Sequence, residues 1–208
     1  RSRVKKRQIC ENTRAKNVNR TYEFDRLVLQ QSWTPTLCYG YYRRENHGII
    51  QIRSVTGLWP SLQQKTWPAF CNCSVEFNAK QLSPIITDLD TKWVSGYNNH
   101  TMKNLWIKYG TCGAKIDGIN NQLDYFNKSL ELYDKFNMHH LLSNLTMNPG
   151  KKCLTEALEG AFKIMLGKKL QIRCVFNRTT KEFYLLGVRL CFDLSFNLID
   201  CEKNKFKG

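Results

Sequence analysis

The chain has 208 residues, enough for one domain with a core of its own. Its 42% hydrophobic content excludes disorder, and no run of about 18 apolar residues predicts a membrane-crossing helix. Lys and Arg number 32 against 17 Asp and Glu, so the formal charge is +15 and the natural partners of an exposed surface are anions.

Residues 1–20 hold eight basic side chains and one acidic, +7 of that total, and read as a basic arm that either stays solvated or meets a polyanion. The rest, residues 21–208, reads as one domain. Phe24 to Gln31 has the pattern of a strand, and so has Gly48 to Val55, where Ile50 and Ile52 alternate with Gln51 and Arg53. Gly57-Leu58-Trp59-Pro60 reads as the turn that ends this second strand. Ile116, Ile119, Leu123, Phe126, Leu130 and Tyr133 recur at steps of three and four, one face of an amphipathic helix. Short helices are expected over 138–145 and around Leu158, Phe162 and Met165. Leu170, Ile172, Cys174 and Phe176 then alternate with polar residues, a turn-like stretch covers 177–181, and Glu182 to Leu194 is strand-like again: an antiparallel hairpin. Strands at both ends with helices between them make an α+β fold.

Nine cysteines favour disulfides over zinc. The tight pair Cys71-Asn72-Cys73 does not suit a zinc knuckle, and His47, His100, His139 and His140 lie at no ligand spacing from it. No metal and no cofactor is expected. The odd count leaves one thiol free or available to link two chains as a dimer. Six N-x-S/T sequons start at Asn19, Asn72, Asn99, Asn127, Asn144 and Asn177, where chance gives about two. Cysteines and sequons together predict a secreted, extracellular, N-glycosylated protein whose signal segment has been removed, with no membrane insertion.

Three segments resemble the ribonuclease T2 family. Phe24 to Cys38 is similar to its first core strand, which runs into a Trp-Pro-x-x-x-Cys segment. Thr56-Gly57-Leu58-Trp59-Pro60 is similar to its His-Gly-Leu-Trp-Pro motif. Leu105-Trp106-Ile107-Lys108-Tyr109-Gly110-Thr111-Cys112 is similar to its Glu-Trp-x-Lys-His-Gly-Thr-Cys motif. The resemblance spans residues 22–201. It implies an antiparallel central sheet with several packed helices, held by disulfides. It also implies metal-free RNA cleavage: one histidine takes the ribose 2′-hydroxyl proton, the oxygen attacks phosphorus, a second histidine protonates the leaving oxygen, and Glu and Lys steady the phosphoryl charge.

The chain departs from the family at the positions that do this chemistry. Thr56 and Tyr109 stand in place of histidines, Asn104 in place of a further histidine, and Leu105 in place of the Glu. Only Lys108 remains. A threonine hydroxyl is no base near neutrality and a phenol titrates near 10. His47, nine residues before Thr56, and His100, four before Asn104, lie off the motif positions. The expectation is an inactive T2-like pseudoenzyme that acts by binding. Family members secreted by parasitic helminths, schistosome egg glycoproteins among them, are heavily glycosylated and act on host immune cells. By that resemblance the partners are host lectins or cell-surface receptors reached through N-glycans, with weak RNA or heparin binding as the alternative. The family pattern further implies that Cys71 or Cys73 pairs with Cys112, Cys153 with Cys201 and Cys174 with Cys191. It leaves Cys10 and Cys38 unassigned.

Overall fold

A computed structural model describes residues 23–36, 54–62, 68–145 and 155–202. The basic arm, the 48–53 stretch of the expected second strand, His47, Asn19, Cys10, Cys38 and Cys153 lie outside the described residues.

The frame is an antiparallel sheet. β1 (Arg26–Ser32) lies in its middle, flanked by β2 (Val55–Ser61) and β4 (Glu182–Phe192), with β3 (Gln171–Asn177) beyond β4 and β5 (Leu198–Ile199) pairing β4. Leu27 and Leu29 on one face of β1 are fully buried in the main core, beside Leu58, Leu190 and Phe192. Val28 points to the other face, against Trp59, Cys191 and Cys201. A strand apolar on both faces belongs inside a sheet, which is where β1 sits.

Gly57-Leu58-Trp59-Pro60 is a correction. It is not a turn but the body of β2, with Gly57 opposite Gln30, Trp59 opposite Val28 and Pro60 opposite Leu27. β2 lies at the edge of the sheet, where a proline costs no ladder bond on the open side.

The helices cover the core face. A 3-10 segment (Ala79–Ile85) leads into α1 (Ile86–Lys92) and then α2 (Asn99–Leu105). A π-helical turn (Trp106–Gly110) and one more turn (Thr111–Gly113) continue α2. α3 (Gln122–Lys135) buries Tyr125, Phe126, Leu130 and Tyr133. It starts later than the apolar periodicity suggested. Gly118 adopts φ 87°, and the side chain of Asn121 caps the helix by accepting the Asp124 N–H. Ile116 and Ile119 are therefore buried in the turn before the helix. α4 (Met138–Asn144) and α5 (Thr155–Leu166) follow as expected.

One buried side chain ties helices to sheet. Gln31 on β1 donates through Nε2 to the Phe136 carbonyl (2.8 Å) and accepts the Met138 N–H (2.9 Å), clamping the α3–α4 corner to the sheet. Both amide groups are thus satisfied at full burial.

Cys71 bonds Cys112 with Cα atoms 5.0 Å apart, stapling the loop before the 3-10 segment to the end of the π-helical region. Cys73 is disulfide-bonded as well. The expected Cys153–Cys201 and Cys174–Cys191 pairs are corrected: Cys201 bonds Cys191, with Cα atoms 5.3 Å apart, and Cys174 is free. The reason is register. Cys174 lies opposite Leu185, six positions along β4 from Cys191. At about 3.3 Å per residue that is roughly 20 Å, far beyond the reach of a disulfide. β5 instead lays Ile199 opposite Cys191, two residues from Cys201. Cys174 packs against the core, and burial pushes its thiol pKa up.

Candidate active site

The three motif segments converge where β2 meets the π-helical turn. Thr56 lies near the start of β2, and its Oγ1 shares a 2.7 Å hydrogen bond with Oγ of Ser32 at the end of β1. Gly57 brings the chain close to the helix: a Cβ placed there would stand 3.3 Å from the Trp59 ring and 3.9 Å from Leu105. Two residues on, the Trp59 ring contacts the Tyr109 ring at 5.4 Å. The Lys108 ammonium lies over Tyr109, 4.5 Å from its centroid.

The π-turn owes its shape to Trp106 and Gly110. The Trp106 ring folds back on the position where a Cβ of residue 110 would sit, 2.1 Å away, so this turn admits only glycine. Thr111 anchors the far end, donating to the Ile107 carbonyl (2.9 Å) and accepting the Asn72 N–H (3.3 Å). A π-turn re-aims the side chains that follow it and recurs at functional sites. Here it turns Lys108 and Tyr109 toward β2. Behind the site, the Tyr125 hydroxyl donates to the Leu58 carbonyl, and burial raises its pKa far above the ordinary phenol value.

Thr56, Leu105, Lys108 and Tyr109 are thus brought together on adjoining elements. Asn104 lies one residue before Leu105 on α2. Among the described residues, no histidine stands beside them. His100 is exposed at the start of α2, and His140 is exposed on α4. His139 stacks on Trp33, with centroids 4.6 Å apart, and its Nε2 is buried without a partner among the described residues.

That stack has a measurable consequence. Burial pulls the His139 pKa from 6.5 down to about 4. The folded chain therefore resists a proton that the unfolded chain accepts. Stability is complete above pH 6.5 and declines as pH falls from there toward 4. Discounted for its partial exposure, the effect is on the order of 1–2 kcal/mol. Urea melts at pH 7 and pH 4.5 should differ by that amount, and the difference should largely vanish in His139→Phe.

Sequence reasoning missed the cationic side of the site. Gln30 on β1, Arg189 on β4 and Arg173 on β3 lie in neighbouring strands. Arg189 Nε and Arg173 Nη1 both donate to Gln30 Oε1, each at 2.9 Å. The Arg189 guanidinium also lies 5.6 Å from the Trp59 ring centroid. Burial first, and the like charge of Arg173 second, pull Arg189 down to about 10. The only signal in the sequence was that these are polar residues inside apolar strands. Their meeting depended on strand order.

The geometry can position an anion and stack a flat group. Among the described residues, the motif positions at this junction hold a hydroxyl, an aliphatic side chain, an ammonium and a phenol. A family model, that of the ribonuclease T2 family, matches residues 24–201. This chain belongs to the ribonuclease T2 family. Ribonuclease T2 of Danio rerio is 31% identical over 187 residues, covering 88% of this chain and 75% of that protein. Ribonuclease Oy of Magallana gigas is 31% identical over 191 residues, covering 88% and 90%. Among solved structures, a variant of ribonuclease MC1 in complex with 5′-GMP superposes with a TM-score of 0.74 at 26% identity, covering 87% of this chain and 95% of that one. Human RNase T2 shares the fold, with a TM-score of 0.71 at 24% identity, covering 86% and 90%.

Within this T2 fold, the sequons at Asn72, Asn99 and Asn127 lie on exposed side chains and Asn177 is half-buried. Asn99 accepts the Tyr97 hydroxyl, and Asn177 accepts the N–H groups of Thr179 and Thr180 in the β3–β4 turn. Asn144 ends α4.

Proposed function

We propose that this chain is a secreted, N-glycosylated T2-fold pseudoenzyme that acts by binding rather than by cleaving RNA. One observation carries the reading. Where β2 meets the π-turn, the groups that face each other are the Thr56 hydroxyl tied to Ser32, the Leu105 side chain, and Tyr109 packed on Trp59. None of them is a histidine or a carboxylate, whereas general acid–base groups contribute about 10² to 10⁴ in rate apiece. The parts that build the fold, Trp59, Trp106, Gly110 and the Cys71–Cys112 bridge, remain. Loss confined to the chemistry fits a retained scaffold with another use.

The partners in this reading are lectins or cell-surface receptors, among them those of a host's immune cells, met through N-glycans on exposed asparagines. A helminth secretory source fits the heavy sequon content. The direct test compares cell-surface binding of the glycosylated protein with that of the enzymatically deglycosylated one. Binding lost with the glycans supports the reading. Binding unchanged, with the sites proven occupied, sinks the glycan part of it.

A second reading, polyanion binding, is favoured by the arginine pair. Two guanidinium groups converge on one amide oxygen, that of Arg189 lying 5.6 Å from the centroid of the Trp59 ring that packs against Tyr109. An anion placed there would relieve their mutual repulsion. Heparin or single-stranded RNA should bind without being cut, with affinity falling steeply as salt rises. Arg189→Ala should lower the slope of log K against log salt by about one. Deleting residues 1–20 and losing all binding would assign the property to the arm instead.

A further inference from the structure

The β3–β4 hairpin runs past the rest of the sheet. β1 accompanies β4 only from Gly187 to Phe192. Over Glu182 to Leu185, β3 is the strand partner of β4 among the described residues. This overhang is four residue pairs long, about 13 Å. Its two faces differ. Cys174 and Leu185, directly opposite each other, pack against the main core. The next pair on that face is Phe176 and Phe183, with ring centroids 5.0 Å apart. There the cover ends: Phe176 is 45% exposed and Phe183 73%. Asn177, which starts a sequon, falls on the opposite face beside Glu182, whose carboxylate accepts from the Tyr184 hydroxyl (3.3 Å). A glycan on Asn177 would leave from the side away from the rings. The turn between the strands carries Arg178 and Lys181, both exposed. From residue 171 to 186 the basic residues are Arg173, Arg178 and Lys181, against the single acid Glu182.

Size and charge select the occupant. The two rings leave roughly 200 Å² of apolar surface open. A stable interface between two proteins buries about 800 Å² on each side, so a second copy seated on these rings alone falls well short. A bilayer sets no such minimum. Side chains enter it singly, and binding grows with the apolar area inserted and with attraction to anionic lipids. Basic side chains at the rim of the patch meet the phosphates of such lipids, and the formal charge of +15 draws the whole chain toward them.

We propose that the tip of the β3–β4 hairpin docks on an anionic lipid surface. The Phe176 and Phe183 rings sit at the boundary between headgroups and acyl chains, and Arg178 and Lys181 meet lipid phosphates. The protein then lies on the bilayer without crossing it. No helix among the described residues is long and apolar enough to cross. The inference does not depend on whether the T2 cleft cleaves RNA.

The test is vesicle flotation of the full chain at physiological salt. One set of vesicles is phosphatidylcholine alone, and the other contains about one part in four of phosphatidylserine. The mixed vesicles should carry the protein, and the neutral ones far less. Phe183→Ser, an exposed change that alters no charge, should weaken binding about tenfold. Arg178→Ala with Lys181→Ala should weaken it at least about fivefold. The basic arm would attract the same vesicles by charge alone, so the position of the tip is read separately. Phe183→Trp keeps an aromatic ring there, and bromines on the acyl chains should quench its added fluorescence beyond that of the unaltered protein. Failure to float with the mixed vesicles overturns the proposal. So does binding that is unchanged in Phe183→Ser and lost on deleting residues 1–20, or an indole at position 183 that the bromines do not quench. Unaltered protein that sediments as a dimer, with Phe183→Ser a monomer, gives the rings to a second copy and overturns it as well.

Discussion

Single-stranded RNA should remain uncut by this protein from pH 4.5 to 8, even at about a thousand times the concentration at which an active T2 ribonuclease completes the reaction. The expectation follows from which groups face the cleft. Thr56 is held by Ser32, Leu105 is aliphatic, and the Tyr109 ring packs at a tilt against Trp59 under Lys108. Losing an acid and a base removes about 10⁴ or more in rate, even after allowing that paired residues are not additive. A lysine at position 108 suits stabilisation of a phosphoryl charge, which by itself does not replace the two proton transfers. Restoring Thr56→His, Leu105→Glu and Tyr109→His together should raise cyclic-phosphate formation at least about 10²-fold above background. Cleavage by the unaltered protein that survives repurification and falls in Lys108→Ala would end the pseudoenzyme reading. His100 would then be the first described histidine to replace.

Gly187→Ala should cost about 3 kcal/mol, among the largest losses available to a single methyl group in this fold. A Cβ at 187 would lie 2.1 Å from the Gln31 carbonyl oxygen and 2.9 Å from the Ser32 Cα. Both are backbone atoms of the central strand, so no side chain can rotate away. The close approach occurs where β3 and β4 shift register and β1 ends beside the site. Gly110→Ala should cost about 2–3 kcal/mol, because the clash there is with the buried Trp106 ring, a side chain with slight freedom. Gly160→Ala is the matched control. It is exposed on α5 with nothing within 4 Å of the added Cβ, and should gain about 0.5–1 kcal/mol in helix propensity. Urea unfolding of the three variants checks the order. For a chain of this length, 3 kcal/mol lowers Tm by roughly 6–12 °C. Equal, small effects at all three positions would mean that the close approaches at 187 and 110 relax without cost.

Much of this was legible in the chain itself. The apolar alternation of Ile172, Cys174 and Phe176 and the turn at 177–181 specify the β3–β4 hairpin, because residue alternation and turn chemistry are local properties, whereas burial is not: Ile172 is buried and Phe176 is exposed. The same holds for α4, whose cap Asn137 accepts the N–H groups of His139 and His140, both within three residues. The motif positions Thr56, Leu105, Lys108 and Tyr109 could be named because each has a counterpart at the right spacing in the family. That they lack a proton-transfer pair is a property of residue type alone.

What the tertiary structure decided was everything that depends on register and on partners far apart in sequence. Gly57 to Pro60 looked like a turn because Gly and Pro are turn residues. Pairing with β1 made it an edge strand instead, since an edge needs no bond from proline on its open side. The C-terminal bridge went to Cys191–Cys201 because the hairpin register carries Cys174 away from Cys191, and two cysteines cannot bond across several strand repeats. The meeting of Arg173 and Arg189 at Gln30 spans 143 and 159 positions along the chain. No local pattern encodes such a contact. It exists only once β1, β4 and β3 lie side by side and the burial of the common core has set their order.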